Sequence, residues 1–201
     1  MATIAPGTEV LLRAGERDKL RFPPPEDARL YVAVHEGALR VGERNRLTQV
    51  VGLVGDRLDW VGAVDERMLE RSSGPPLPSA RSRIAESLFW DDEAWDIVWP
   101  GPLLADGVRR PYFTVYDGDR PWMTLGRLPG GLLAAPLNDA RGNPKWWAPR
   151  IDAADLEFVE GKPAQVELAH LWTVGDFQVR GGRVSDRARA ELADRVRAYL
   201  T

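Results

Sequence analysis

AWDIVWPGPLLADGVRRPYFTVYDGD, residues 94–119, carries the clearest strand pattern of the chain. Trp95, Ile97 and Trp99 recur every second residue, which places three large side chains on one face of a strand. Pro100-Gly101-Pro102 stops that strand, and an exposed loop, LLADGVRR, leads to a second apolar strand over 112–116 that ends at Asp117-Gly118. Further strands are expected over 122–125 and 132–135. Antiparallel strands this short need closure or a second layer to hide their edges. The chain then finishes in a helix. Ser185 is a natural N-cap, Asp186 sits at the favourable end of the dipole, and Ala188, Leu192, Val196 and Tyr199 repeat at helical spacing as one apolar stripe.

Upstream, the sequence also reads as β. Short runs over 10–13, 19–22, 30–34, 38–41, 47–54 and 59–64 are separated by Gly15, Pro23-Pro24-Pro25 and Glu36-Gly37. A short helix is expected over 84–95. The segment SSGPPLPSARSR, residues 72–83, is too rich in Ser, Pro and Gly for a regular element and reads as a linker. It divides the chain into a β-rich N-terminal domain of unknown role over 1–71 and a barrel domain over 84–201. The expected class is mainly β with a minor α component. No internal repeat stands out, although LYVAVHEGALRV (30–41) and YFTVYDGDRPWMTL (112–125) each read as strand, Gly turn and strand.

Composition narrows the chemistry. Among 201 residues there is no cysteine, which excludes disulfides, thiolate zinc, iron–sulfur ligation and a cysteine nucleophile, and there are only two histidines, His35 and His170. No cofactor and no metal is expected. The formal charge of −3 gives the whole chain no field that attracts polyanions. Eight tryptophans crowd into 90–99 and 122–172 apart from Trp60, and core packing is their simplest role. No stretch approaches the roughly 20 apolar residues of a membrane span, and MATIAPGTEV lacks the basic start and apolar run of a signal peptide. A cytoplasmic protein is expected.

Generic site signals are weak. Glu160-Gly161-Lys162, with Asp152 and Asp155 upstream, imitates the acidic residues and lysine of metal-dependent nucleases, but a β-turn at Gly161 explains it more simply. Asp91, Asp92, Glu93 and Asp96 read as solvated charge rather than a cation site. His170, within LAHLW, reads as a hydrogen-bonded, half-buried histidine rather than a general base. Neither Gly130-Gly131 nor Gly181-Gly182 has the spacing of a phosphate-cradling loop.

The second half carries a more specific pattern. The stretch over 94–119, with its strand, loop, Arg-Pro step and second strand, resembles the opening of the MazF/PemK toxin family. LLAAPLND, residues 132–139, is similar to that family's third strand. VELAHLWTVGDFQVRGGRVSDRARAELADRVRAYL, residues 166–200, resembles its closing strand, turn and helix. The resemblance implies an SH3-like barrel with a C-terminal helix, a homodimer, and metal-independent endoribonuclease activity on single-stranded RNA, with a protein antitoxin as a further partner. It also implies that Arg110, before the proline, lies near the scissile phosphate with Arg109 adjacent. Asn138 stands where the family usually has a threonine or serine, so a hydroxyl is replaced by an amide. Arg141, Lys145, Trp146 and Trp147 interleave cations with aromatic faces, a combination suited to an unstacked RNA strand.

Two other functions compete. A non-catalytic RNA- or protein-binding module of the same fold agrees with Asn138 and with the balanced charge of residues 95–201, which hold 14 basic and 14 acidic residues. A ligand sensor built on an N-terminal jelly roll is the third reading, suggested by LYVAVHEGALRV and the Gly-Asp of LVGDRLDW.

Overall fold

Val, Leu and Tyr runs between turn-forming residues make the first sheet. It comprises β1 (Glu9–Leu12), β2 (Arg29–Val34), β3 (Arg40–Val41), β4 (Asn45–Val54), β5 (Arg57–Asp65) and β6 (Leu69–Arg71). The second contains β7 (Asp96–Pro100), β8 (Trp122–Leu128), β9 (Gly131–Asp139), β10 (Arg150–Ile151), β11 (Ala164–Val166), β12 (Trp172–Val174) and β13 (Phe177–Arg183). Two helices complete the chain, α1 (Ala80–Glu86) and α2 (Asp186–Leu200). This computed structural model describes residues 4–34, 40–41, 45–88, 96–100, 122–140, 148–156, 162–174 and 177–200, with 40–41, 45–46, 96–100 and 177–182 described by their backbone. The chain is mainly β with a C-terminal helix, as the sequence pattern predicts.

Both sheets share one connectivity. In the first, β1, β2, β4 and β5 form a meander, and β6 returns to pair with β1. In the second, β7, β8 and β9 form a meander, β11 and β12 together flank β9, and β13 returns to pair with β7. Laid flat, four strand spacings would hold the outer strands about 19 Å apart. Yet Asp65 is joined to Leu69 by the 3-10 turn Glu66–Met68, and Val174 is only three residues from Phe177. Those links reach at most about 14 and 11 Å, so each sheet has to curl. The first sheet is a meander without the Greek-key crossings of a jelly roll. The shared order is a structural repeat that the sequence does not announce.

Several boundaries differ from the sequence reading. The run over 19–22 is not a strand. Arg17–Lys19 forms a 3-10 turn, Leu20 is buried, Phe22 packs against Trp172 while its carbonyl accepts the Trp60 indole N–H at 2.8 Å, and the following prolines end any regular pairing. The helix expected over 84–95 instead spans Ala80–Glu86, beginning inside the segment read as a linker and burying Ala80 and Ile84; residues 89–95 lie outside the described set. At the C-terminus, Ser185 Oγ accepts the Ala188 N–H at 3.2 Å, and Ala188, Leu192, Val196 and Tyr199 are all buried. The helix therefore starts and faces as its spacing predicts.

One apolar core joins the two sheets. Val51, Leu53 and Leu58 from the first pack in the same cluster as Met123, Leu125 and Leu133 from the second, with Ile84 of α1 and Val196 of α2 closing it. A second cluster, containing Val10, Val32, Val50 and Trp60, fills the interior of the first sheet. Between the sheets, edge strand β5 meets edge strand β12. The Val61 N–H, which points away from β4, donates to Thr173 Oγ1 at 2.8 Å. Trp60 meets Trp172 edge to face at 5.9 Å. Buried Gln49 mimics a strand: its Nε2 donates to the Leu171 carbonyl at 2.8 Å and its Oε1 accepts the Leu171 N–H at 3.0 Å.

Gln49→Leu keeps the apolar volume but leaves both Leu171 backbone groups buried without partners. At about 1–3 kcal/mol for each such group, it should destabilise the chain by about 2–6 kcal/mol in urea unfolding, whereas a loss below about 1 kcal/mol would contradict this role.

Candidate functional site

The site begins at Asn138, near the end of β9, the strand formed by the LLAAPLND motif. Asn138 lies opposite Gln165 of β11, and Gln165 lies opposite Arg150 of β10. Directly paired residues share a face. The neighbouring pair, Leu137 and Val166, is buried in the core, so alternation sends Asn138, Gln165 and Arg150 to the opposite face. Three strands thus bring two amides and a guanidinium into one row. Glu167 continues the row two residues beyond Gln165, and its N–H extends the ladder by donating to the Pro136 carbonyl at 3.0 Å.

Part of the row is buried. Gln165 and Glu167 are each only 7% exposed, and Gln165 Nε2 is a buried donor with no acceptor among the described residues. A buried amide without a partner is costly, and an oxygen-bearing ligand or a bound water placed there would satisfy it. Arg150 holds Asp152 at 3.2 Å through Nε and keeps its remaining donors. A guanidinium, two amides and a carboxylate can bind a phosphodiester and relay a proton without metal.

Asn138 is the one expected site residue whose position is described. Arg109, Arg110, Arg141, Lys145, Trp146 and Trp147 lie outside the described residues, as do Asp91, Asp92, Glu93, Glu160 and His35. Their attachment points are known. Residues 101–121 connect β7 to β8, whose Trp122 pairs with Pro136, two residues before Asn138. Residues 141–147 lie in the sequence between β9, which ends at Asp139, and β10, which begins at Arg150. Gln165, Glu167 and Arg150 are missed by sequence reasoning. Ala164-Gln165-Val166-Glu167-Leu168 does alternate apolar and polar, which is the signal that could have found two of them.

Other polar groups of the second half have structural duties. Asp155 receives the Ser185 hydroxyl at 2.6 Å and Arg187 at 2.5 Å, while its carbonyl takes the Ser185 N–H at 2.8 Å. Arg187, then Ser185, hold its carboxyl below the usual range. Asp155 therefore docks the start of α2, and its partner Asp152 pairs with Arg150, which leaves neither carboxylate to a nuclease-like metal motif. Among the described residues no group of three or more histidine, aspartate or glutamate side chains is placed to hold a metal ion. No helix among them is long and apolar enough to cross a membrane. Trp60 and Trp122 are buried, consistent with packing roles.

His170 is fully buried, not half-buried, in the 3-10 turn Leu168–His170 between β11 and β12. Burial pushes its pKa from 6.5 down to about 3. The unfolded chain therefore takes up a proton that the folded chain refuses. Stability is undiminished above pH 6.5 and falls as the pH drops from 6.5 towards 3, by up to about 1.4 kcal/mol per unit. His170→Leu should flatten this part of the pH–stability profile in urea titrations, whatever its effect at neutral pH; an unchanged slope would contradict a neutral buried imidazole.

Compared with protein-family models, curated proteins and solved structures, the chain has no match in any of the three.

Proposed function

We propose that the second half is a cytoplasmic, metal-independent endoribonuclease of the MazF/PemK kind, acting on single-stranded RNA as a homodimer and controlled by a protein antitoxin. The observation that carries this reading is the row Asn138–Gln165–Arg150, which lies at the end of the strand where the resemblance puts a threonine or serine. It is supported by the meander-plus-return order of the second sheet and by the terminal helix.

In the reaction, the ribose 2′-oxygen bonds to the adjacent phosphorus and its proton passes to an acceptor. The bond from phosphorus to the 5′-oxygen breaks, and that oxygen gains a proton. The products are a 2′,3′-cyclic phosphate and a 5′-hydroxyl. Arg110 stabilises the charge that builds on the phosphorane oxygens, Arg109 assists it, and Asn138 donates to a phosphate oxygen. Arg141, Lys145, Trp146 and Trp147 hold the strand by charge and stacking.

The second reading, a non-catalytic binding module, is favoured by one observation: Asn138 offers an amide where the family usually has a hydroxyl.

Single-turnover cleavage of a labelled RNA in excess chelator separates the two. The enzyme reading predicts cleavage that persists in chelator, a loss of about 100-fold or more in Arg110→Ala, a smaller loss in Arg109→Ala, and equal or faster cleavage by Asn138→Thr. Cleavage unaffected by Arg110→Ala would sink the site assignment, and RNA binding without cleavage by either the wild type or Asn138→Thr would establish the binding module.

A further inference from the structure

A second concave surface lies away from this row, where the β4–β5 turn, the end of α1 and the β8–β9 turn meet in an open groove of about 610 Å3. That volume is in the range of small-molecule sites. Arg57, Arg83 and Arg127 line it, one from each of three elements, beside exposed Pro129, while Leu58 and Leu128, buried core residues, form its floor. Asp56 and Glu86 also line it, so its formal charge is +1.

The guanidiniums are poorly satisfied. Arg57 reaches Asp59 at 3.4 Å, and Arg83 reaches the Asp56 carbonyl at 3.4 Å and Glu86 at 4.0 Å. All three contacts are longer than the ~2.7–2.9 Å of a charge-assisted hydrogen bond. Arg127 makes no ion pair or hydrogen bond among the described residues, and it is the one exposed side chain on β8. With five N–H donors per guanidinium, most of the donor capacity of the groove is unused.

Its walls are nonetheless locked together through the backbone. Leu88, just past α1, bridges to Gly126, and a Cβ on Gly126 would sit 2.3 Å from the Ser87 carbonyl oxygen. On the other side, a Cβ on Gly130 would sit 2.6 Å from the Asp59 carbonyl oxygen. Only glycine permits both approaches, and they fix Arg127 relative to Arg83 and Arg57. Guanidiniums held on rigid elements lose less freedom on gripping a ligand.

We infer that this groove binds a small phosphate-bearing ligand of nucleotide size, with Arg57, Arg83 and Arg127 gripping the phosphate and the exposed ring of Pro129 packing against the rest of the ligand. Arginine forks match phosphate oxygens bidentately. The site draws on both halves of the chain and does not depend on the RNA-cleavage reading.

Calorimetric titration of the full chain at low ionic strength, with inorganic phosphate, adenosine 5′-monophosphate and adenosine as probes, tests it. The nucleotide should bind and adenosine should not. Inorganic phosphate binding as tightly as the nucleotide would assign the site to the free anion, and weaker binding would assign it to the nucleotide. Arg57→Gln, Arg83→Gln and Arg127→Gln should each weaken binding about 10-fold or more, whereas Arg189→Gln, the same charge change on α2, should leave it within about twofold. Glu86→Gln should tighten binding, a gain that misfolding cannot produce. Adenosine binding as well as the nucleotide, no binding of the nucleotide, or equal losses in Arg127→Gln and Arg189→Gln would overturn the proposal.

Discussion

A sheet edge exposes N–H and C=O groups that either pair or invite another chain to pair with them. In this protein the exposed edge of each curled sheet, β5 in one and β12 in the other, is closed by the other. Thr173 Oγ1 takes the Val61 N–H, and the Gln49 amide takes both backbone groups of Leu171. These bonds are buried, and the residues around them belong to one apolar cluster drawn from both halves. The positions of α1, of the arginine groove and of His170 all follow from that contact, because each lies where the two sheets converge.

Much of the fold is legible in the sequence because one-faced periodicity is a direct record of burial. The α2 stripe, the Ser185 cap and the strands β2, β4, β5, β7, β8 and β9 all fall within a few residues of where the pattern places them. The failures have physical causes. A strand of two residues, such as β10, is too short to show a period. Residues 19–22 carry the composition of a strand, but Leu20 is buried and Phe22 packs against Trp172 as separate anchors, and the run belongs to neither sheet. Gln49 looks like an ordinary polar interruption, because nothing local says that its partner is 122 residues away.

The candidate site divides along the same line. Asn138 is found because a strand-end motif marks it, whereas Gln165 and Arg150 join it only through strand register, which the sequence does not spell out. The arginine groove is less legible still. Arg57, Arg83 and Arg127 belong to unrelated stretches, and their convergence depends on the close backbone approaches at Gly126 and Gly130.

If one shared core is the central constraint, the two halves have to unfold together. Equilibrium urea unfolding followed at once by tryptophan fluorescence, to which Trp60 and Trp172 between the sheets contribute among the eight tryptophans, and by far-ultraviolet circular dichroism, which reports on both sheets and α2, tests this. A single transition with superimposable curves is the predicted result. Two separated transitions, with one half keeping its secondary structure after the tryptophan signal is lost, would contradict it.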